Sequence, residues 1–315
     1  MDWTLDPDLA RFADQVVRSA LGASARVIRV TSWPAAPGQA VWRLDVGHPA
    51  AGVDPQPLVL KVATAAASRA GSLDFERTAA VLALADRAGV PVARVLAADG
   101  SHRQGPWSYL LTEHLRGVEW RVRRPQLSEG AVRTAHRQIA AALLALQSIR
   151  FPSCGELNRD GQPAGQDVTA ALAVRVRLRV PAGSRRALAD RLLEREAELL
   201  AADAPLPTLC HDDLHHANVL FSTDGEQPRL TGILDWDKAW AGPADSDVAR
   251  LAFWDDMTGP GFWEVYGELD RGEQSGRRRL VHQLLWCLEY PLDSPRHRRD
   301  TVELCRRLDL PPPGR

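Results

Sequence analysis

The hydrophobic period of this chain changes once, near residue 115, and that change limits what the chain can fold into. Before it, VIRVTSW (27–33), AVWRLDV (40–46), PLVLKVA (57–63), VPVARVLAAD (90–99) and WSYLLTEHL (107–115) read as five strands. A single helix is inserted among them, LDFERTAAVLALADRAGV (73–90), with Leu73, Ala80, Val81, Leu84 and Ala88 at helical spacing and a stop at Gly89 before Pro91. Another helix, 7–21, precedes the first strand, with Leu9, Phe12, Val16, Val17 and Ala20 on one side. Beyond residue 115 the apolar residues recur with a helical period. Val132, Ile139, Leu143 and Leu146 mark one helix over 127–150; Leu188, Leu192, Leu193, Leu199 and Leu200 mark another over 183–202. A loop-rich stretch, FPSCGELNRDGQPAGQDVTA, separates these two, and the tail from 246 to 308 reads as helices broken at Gly259-Pro260-Gly261 and near Ser294-Pro295.

A chain of 315 residues exceeds the usual size of one compact core, so two lobes are expected. The period change gives a boundary: an N-terminal lobe over 1–113, a hinge over 114–118 and a helical lobe over 119–315. A formal net charge of −1 removes any global field favouring nucleic acid or an anionic membrane. Cys154, Cys210, Cys287 and Cys305 are widely spaced and suggest neither a disulfide scaffold nor a zinc knuckle. The acidic start MDWTLDPDLARFADQ lacks the features of a signal peptide, and no apolar run approaches ~18 residues. A cytoplasmic protein, monomer or homodimer, without nucleic-acid or membrane partners, is the expectation.

Two features carry chemistry. Lys61 sits in the middle of an apolar strand, where alternation puts Leu58, Leu60 and Val62 on one face and Val59 and Lys61 on the other; an ammonium there is costly unless it meets water or an anion. The stretch CHDDLHHANVLF (210–221) is followed by a hairpin turn at Asp224-Gly225 and by the strand TGILDWD (231–237). Within it, Asp213 and Asn218 stand at the spacing of a phosphoryl-transfer loop, in which the Asp takes the acceptor's proton and the Asn holds Mg²⁺, and the next strand brings Asp235 as a second ligand. A zinc site on His211, Asp213 and His215 is the competing reading. It needs a further ligand, and His136 and His282 on helices are poorly placed to supply one.

In order and spacing, LVLKV with Lys61, the helix with Glu76, LLTEHLRG, HDDLHHANVLF and GILDWDKAWAGPADSDVARL resemble the aminoglycoside phosphotransferases and related small-molecule kinases over about 27–252. The resemblance implies an α+β, protein-kinase-like bilobal fold with a five-stranded antiparallel sheet and one helix in the N-lobe and a mainly helical C-lobe. It implies ATP or GTP as donor and Mg²⁺ as cofactor. Lys61, held by Glu76, would contact the phosphates, and the backbone near Glu113 and Leu115 would bind the nucleobase. Asp213 would act on the acceptor hydroxyl, His211 would brace the loop, Asn218 and Asp235 would hold the metal, and Asp247 would give structural support. The glycine-rich loop is reduced to Gly38, and His216-Ala217 stand where Pro-Gly is common. With 80 residues after Asp235 and no A-P-E segment, a peptide-substrate platform is not expected.

The acceptor stays open. Asp255, Asp256, Glu264, Glu268 and Asp270 form an acidic run suited to a polycation, and Asp237, Trp240 and Trp263 are candidates for the acceptor side. Against this, Arg175, Arg177, Arg179, Arg185 and Arg186 crowd one stretch, either near the acceptor or as a solvated helix face. The expected activity is O-phosphorylation of a small antibiotic, either an aminoglycoside or a less cationic sugar- or nucleoside-containing compound, conferring resistance. A metabolite kinase for a sugar, amino alcohol or amino acid, and a catalytically silent nucleotide-binding protein, are the alternatives.

Overall fold

The computed structural model describes residues 7–35, 38–47, 55–69, 73–202, 206–254, 256–270, 272–290 and 294–314. Five antiparallel strands, β1 (Arg26–Trp33), β2 (Gln39–Gly47), β3 (Gln56–Thr64), β4 (Val95–Asp99) and β5 (Trp107–Glu113), form one sheet in the order β1-β2-β3-β5-β4. Alternation divides it between two cores. Trp42, Leu44, Leu58, Leu60, Val62, Tyr109 and Leu111 pack with Leu9, Phe12, Val16 and Val17 of α1 (Pro7–Leu21). On the other face lie the short α2 (Ala65–Arg69) and α3 (Phe75–Arg87), and there Ala63 and Leu110 meet Phe75, Val81, Leu82 and Ala85. Asp74 caps α3, accepting from the N–H groups of Glu76 and Arg77 at 3.1 Å each.

The core beneath α3 runs on without interruption into the helical part, through Trp120, Leu143, Phe221, Ile233 and Trp236. That part holds β6 (Val118–Glu119), α4 (Trp120–Arg123), α5 (Glu129–Ser148), β7 (Gly155–Glu156), α6 (Val168–Arg179), α7 (Ser184–Arg195) and α8 (Ala197–Ala201). It continues with β8 (Thr208–Cys210), β9 (Val219–Phe221), β10 (Leu230–Ile233), β11 (Trp240–Gly242), α9 (Asp245–Phe253), α10 (Pro260–Tyr266), α11 (Glu273–Glu289) and α12 (Pro295–Arg307). The expected hairpin forms as β9 and β10, extended by β6; β11 lies between β7 and β8. The fold class is the α+β one expected, with a five-stranded antiparallel sheet ahead of a mainly helical part.

There are three local differences, the last two with physical reasons. The strand expected over 90–99 begins only at Val95. The presumed loop before residue 170 turns into α6 at Val168, because Asp167 caps it (Ala170 N–H to Oδ1, 2.8 Å) and Val168, Ala171, Leu172 and Val176 form a buried face. The single helix expected over 183–202 is broken at Glu196, whose carboxylate is held by Arg195 and Arg277. Among the described residues no helix is long and apolar enough to cross a membrane, and all four cysteines are free and buried.

Candidate active site

Lys61 projects from β3 on the face opposite α1, and its Nζ lies 3.2 Å from Asp237 Oδ2 and 3.5 Å from Asp235 Oδ1. Burial alone would lower its pKa; the two carboxylates outweigh that and hold the amine above its ordinary value. Glu76 does not take part. It faces outward from the first turn of α3 and pairs with Arg159, so the expected Lys61–Glu76 ion pair is absent. The side of α3 that faces Lys61 carries Thr78, whose hydroxyl donates to Asp237 Oδ1 at 2.9 Å, and Arg77 donates to the Asp237 carbonyl. Asp237 therefore sits between Lys61 and α3.

The loop leaving β8 is fixed from beneath. Asp247, at the start of α9, accepts the N–H groups of His211 and Asp212 at 2.7 Å each. Burial and the adjacent Asp212 carboxylate push its pKa up to about 7. The His211 ring is buried, packs edge-on against Trp236 at 4.5 Å, and accepts the Asp213 N–H at Nδ1 (3.1 Å). Its proton therefore lies on Nε2, which donates to the Leu234 carbonyl at 2.8 Å. This spends both ring nitrogens on bracing, and His215 Nδ1 accepts the Ala217 N–H at 3.1 Å. No group of three or more His, Cys, Asp or Glu able to hold a metal forms among the described residues, and His211 has no nitrogen left for zinc.

Asp213 is 6% exposed and contacts Arg250 directly, with Lys238 Nζ at 3.7 Å. Burial would raise its pKa, but Arg250 and Lys238 reverse the sign and hold it below the ordinary carboxylate value. Asn218 donates through Nδ2 to the Asp213 carbonyl at 3.0 Å, which fixes the amide and leaves Oδ1 as an acceptor. Asp235 follows β10 in the left-handed region (φ 66°), and its side chain is 47% exposed. One exposed carboxylate and one oriented amide oxygen fit a hard cation such as Mg²⁺, which takes one or two protein ligands and completes its shell with phosphate and water.

The remaining candidates fall into two groups. Gly38 (φ 79°) closes the β2 end, accepting the Thr64 N–H at 2.9 Å, while Ala36 and Pro37 lie outside the described residues. Glu113 pairs with Arg94 and donates its N–H to the Arg94 carbonyl at 3.0 Å. Leu115 lies against β10, where a Cβ on Gly232 would come within 2.4 Å of its side chain. Trp240 is not an acceptor wall: it is wholly buried on the middle strand β11, with the Arg175 guanidinium 4.4 Å above its ring. Trp263 is half-buried on α10, packing against Phe262 at 4.8 Å at the edge of the core.

Part of the acidic run is engaged at the surface, while Glu268 is exposed beside a cavity that Asp270 also lines. Glu264 pairs with Arg133 and Arg137, Asp270 accepts from Ser275 and Gly272, Asp256 lies 3.5 Å from His216, and Asp255 is outside the described residues. Arg175 is not on a solvated face; it is 5% exposed and bridges Glu156 and Asp212.

Residues that sequence reading passed over include Arg250 and Lys238, together with the rings beside them. Arg250 lies 4.2 Å over Trp286, and Lys238 lies 4.6 Å over Tyr290 while bonding Glu289 at 2.9 Å. Trp286 contacts Trp254 at 5.8 Å, and Trp254 meets His215 and His216. Arg250 was findable: three residues after Asp247 on a helix, it shares the face that carries the loop's support.

The family model described as the phosphotransferase enzyme family matches residues 22–280. Among solved structures, a thermostable variant of aminoglycoside phosphotransferase APH(4)-Ia in ternary complex with ADP and hygromycin B is 18% identical, with a TM-score of 0.65 over 96% of this chain and 97% of that one. A putative aminoglycoside phosphotransferase from Ralstonia eutropha is 13% identical, with a TM-score of 0.59 over 93% and 94%. The GDP and kanamycin complex of APH(2″)-IIIa is 15% identical, with a TM-score of 0.57 over 94% and 96%. No curated protein matches the sequence. At these identities the solved structures speak for the fold alone, but the family match covers most of the chain, and the chain belongs to the phosphotransferase enzyme family.

Proposed function

We propose that the protein transfers the γ-phosphoryl group of ATP or GTP to a hydroxyl of a small antibiotic that carries few positive charges. The observation that carries this is the meeting of Lys61, from the sheet, with Asp235, from the hairpin, beside the loop that bears Asp213 and Asn218. In this reading residues 1–113 bind the nucleotide, 114–118 form the hinge, and 119–315 hold the catalytic loop and the acceptor. The backbone around Glu113 and Leu115 meets the nucleobase, and Lys61 faces the phosphates. Asn218 and Asp235 would hold Mg²⁺, which when bound neutralises charge on the β- and γ-phosphoryl oxygens. Asp213, ionised at neutral pH, orients the acceptor hydroxyl and takes its proton as the new P–O bond forms.

The surroundings of Asp213 favour the less cationic acceptor. Arg250 and Lys238 flank its carboxylate, and the rings of Trp254, Trp286 and Tyr290 lie beside them. A polycation needs free carboxylates there, and those of Glu264 and Asp270 are engaged elsewhere. Phosphorylation would add negative charge and bulk at a hydroxyl that the drug's target contacts, which yields resistance without degrading the drug. The test is a panel of kanamycin, a nucleoside antibiotic, a free sugar and an amino alcohol, each with ATP or GTP and Mg²⁺, read by mass gain of one phosphoryl group. Gain on the nucleoside antibiotic with little on kanamycin is expected. Gain on the sugar or amino alcohol alone makes this a metabolite kinase, and nucleotide binding without any gain makes it a silent one.

A further inference from the structure

The counter-ion of Lys61 comes from an unexpected element. Residues advance about 100° each along an α-helix, so Glu76 and Thr78, two apart, point to nearly opposite sides of α3. Glu76 takes the outer side with Arg159, and Thr78 takes the inner side. The inner side thus presents a hydroxyl instead of a carboxylate. The missing negative charge is supplied by the short 3₁₀ turn Trp236–Lys238 that follows Asp235. There Asp237 splits its oxygens, Oδ2 at 3.2 Å from Lys61 Nζ and Oδ1 accepting from Thr78 at 2.9 Å, while its carbonyl accepts from Arg77. Arg77 is itself buried and anchored on Glu156, which Arg175 ties to Asp212 in the catalytic loop.

We infer that Asp237 is the carboxylate that positions Lys61, and that α3 acts on this lysine only by holding Asp237 through Thr78 and Arg77. One turn of chain then carries both the candidate metal ligand Asp235 and the partner of the lysine. Lys61 keeps an anion even when Asp235 is claimed by another cation. The inference rests on Lys61 being the phosphate-facing amine, so its test separates the two ideas.

The intact protein is pulsed with acetic anhydride at fixed pH and acylation of Lys61 is read by peptide mass spectrometry; an amine held against Asp237 is shielded from the reagent, and one released from it is not. Asp237→Asn is expected to raise the Lys61 acylation rate at least tenfold and to raise the nucleotide KM more than it lowers kcat. Glu76→Gln leaves the rate within twofold. The double variant Thr78→Glu with Asp237→Asn, which returns a carboxylate from the inner face of α3, brings it back toward wild type. Equal rates in wild type and Asp237→Asn at matched thermal midpoints, or an equal rise in Glu76→Gln, would overturn the assignment. If Asp237→Asn does not fold, Thr78→Val is used; a rise of twofold or more supports the inference and no change defeats it. Failure of Mg-ATP to protect wild-type Lys61 from acylation would defeat the nucleotide reading while leaving the ion-pair assignment intact.

Discussion

Asp213 is a base kept ionised by its neighbours. Burial acts to raise its pKa, and the charges of Arg250 and Lys238 act more strongly to lower it, so at neutral pH the carboxylate is ready to orient a hydroxyl. Asp213→Asn keeps the volume and the backbone contacts of the loop but cannot take a proton. Turnover should fall by roughly 10²- to 10⁴-fold with nucleotide affinity nearly unchanged, while the thermal midpoint drops because buried Arg250 loses its carboxylate. Steady-state kinetics beside calorimetric nucleotide titration checks this, and a variant keeping more than a tenth of the activity removes Asp213 from its role. Asp235 makes a different claim, on binding. Asp235→Asn should weaken nucleotide affinity in Mg²⁺ by about tenfold, or ~1.4 kcal/mol, and leave affinity in chelator unaltered; equal affinity with Mg²⁺ in both proteins would refute the ligand assignment. The closeness of Asp213 and Asn218 was legible in the sequence because a short loop sets their spacing. The partner of Lys61 was not, because two residues of offset on α3 decide which side chain faces inward, and the acid that answers lies 176 residues downstream.

At the scale of elements, the helical lobe depends on close backbone approach as much as on apolar periodicity. Gly261, near the start of α10, lies so close to α5 that a Cβ there would meet the Arg133 carbonyl oxygen at 2.2 Å. Backbone cannot give way as a flexible side chain can, so Gly261→Ala must push α10 from α5, at a cost of roughly 1–3 kcal/mol. A fall in the urea midpoint with unchanged slope is the expected result, and an unchanged midpoint would mean that the two helices part freely. The glycine was read in sequence only as a helix breaker. Periodicity reported α5 faithfully, since it has one apolar face, with Ile139, Leu143 and Leu146 buried as read. It missed α6, where Arg175 occupies a buried position that a solvent-facing reading assigns to water, because its partners Glu156 and Asp212 come from separate elements. Buried ion pairs of this kind break the link between polarity and exposure on which the reading depends.

For the whole molecule, the same buried networks set the response to acid. His114, His136, His211, His215 and His282 all have depressed pKa values, with burial the leading cause in each, and His215 is pushed down to about 4 from an ordinary 6.5. In the unfolded chain these rings take protons as pH falls through about 6.5, while in the folded protein they stay neutral to lower pH. The unfolded state then binds more protons, and stability falls as pH drops from about 6.5 toward about 4. Asp247 works against this, since its pKa near 7 lets the folded state hold a proton that the unfolded chain releases above about 4. One such carboxyl opposes five imidazoles, so the net slope is destabilising on acidification. Asp212 and Asp213, both depressed, add their loss only at lower pH, as their native carboxylates become protonated. The urea midpoint should therefore decline steadily between pH 7 and pH 5. The share due to His215, discounted for its partial exposure, is about 2 kcal/mol by the bottom of its window. In His215→Asn the decline should be visibly shallower. Identical slopes for the variant and the wild type would mean that His215 titrates alike in the folded and unfolded chains, and that the polar floor beneath the catalytic loop is open to water.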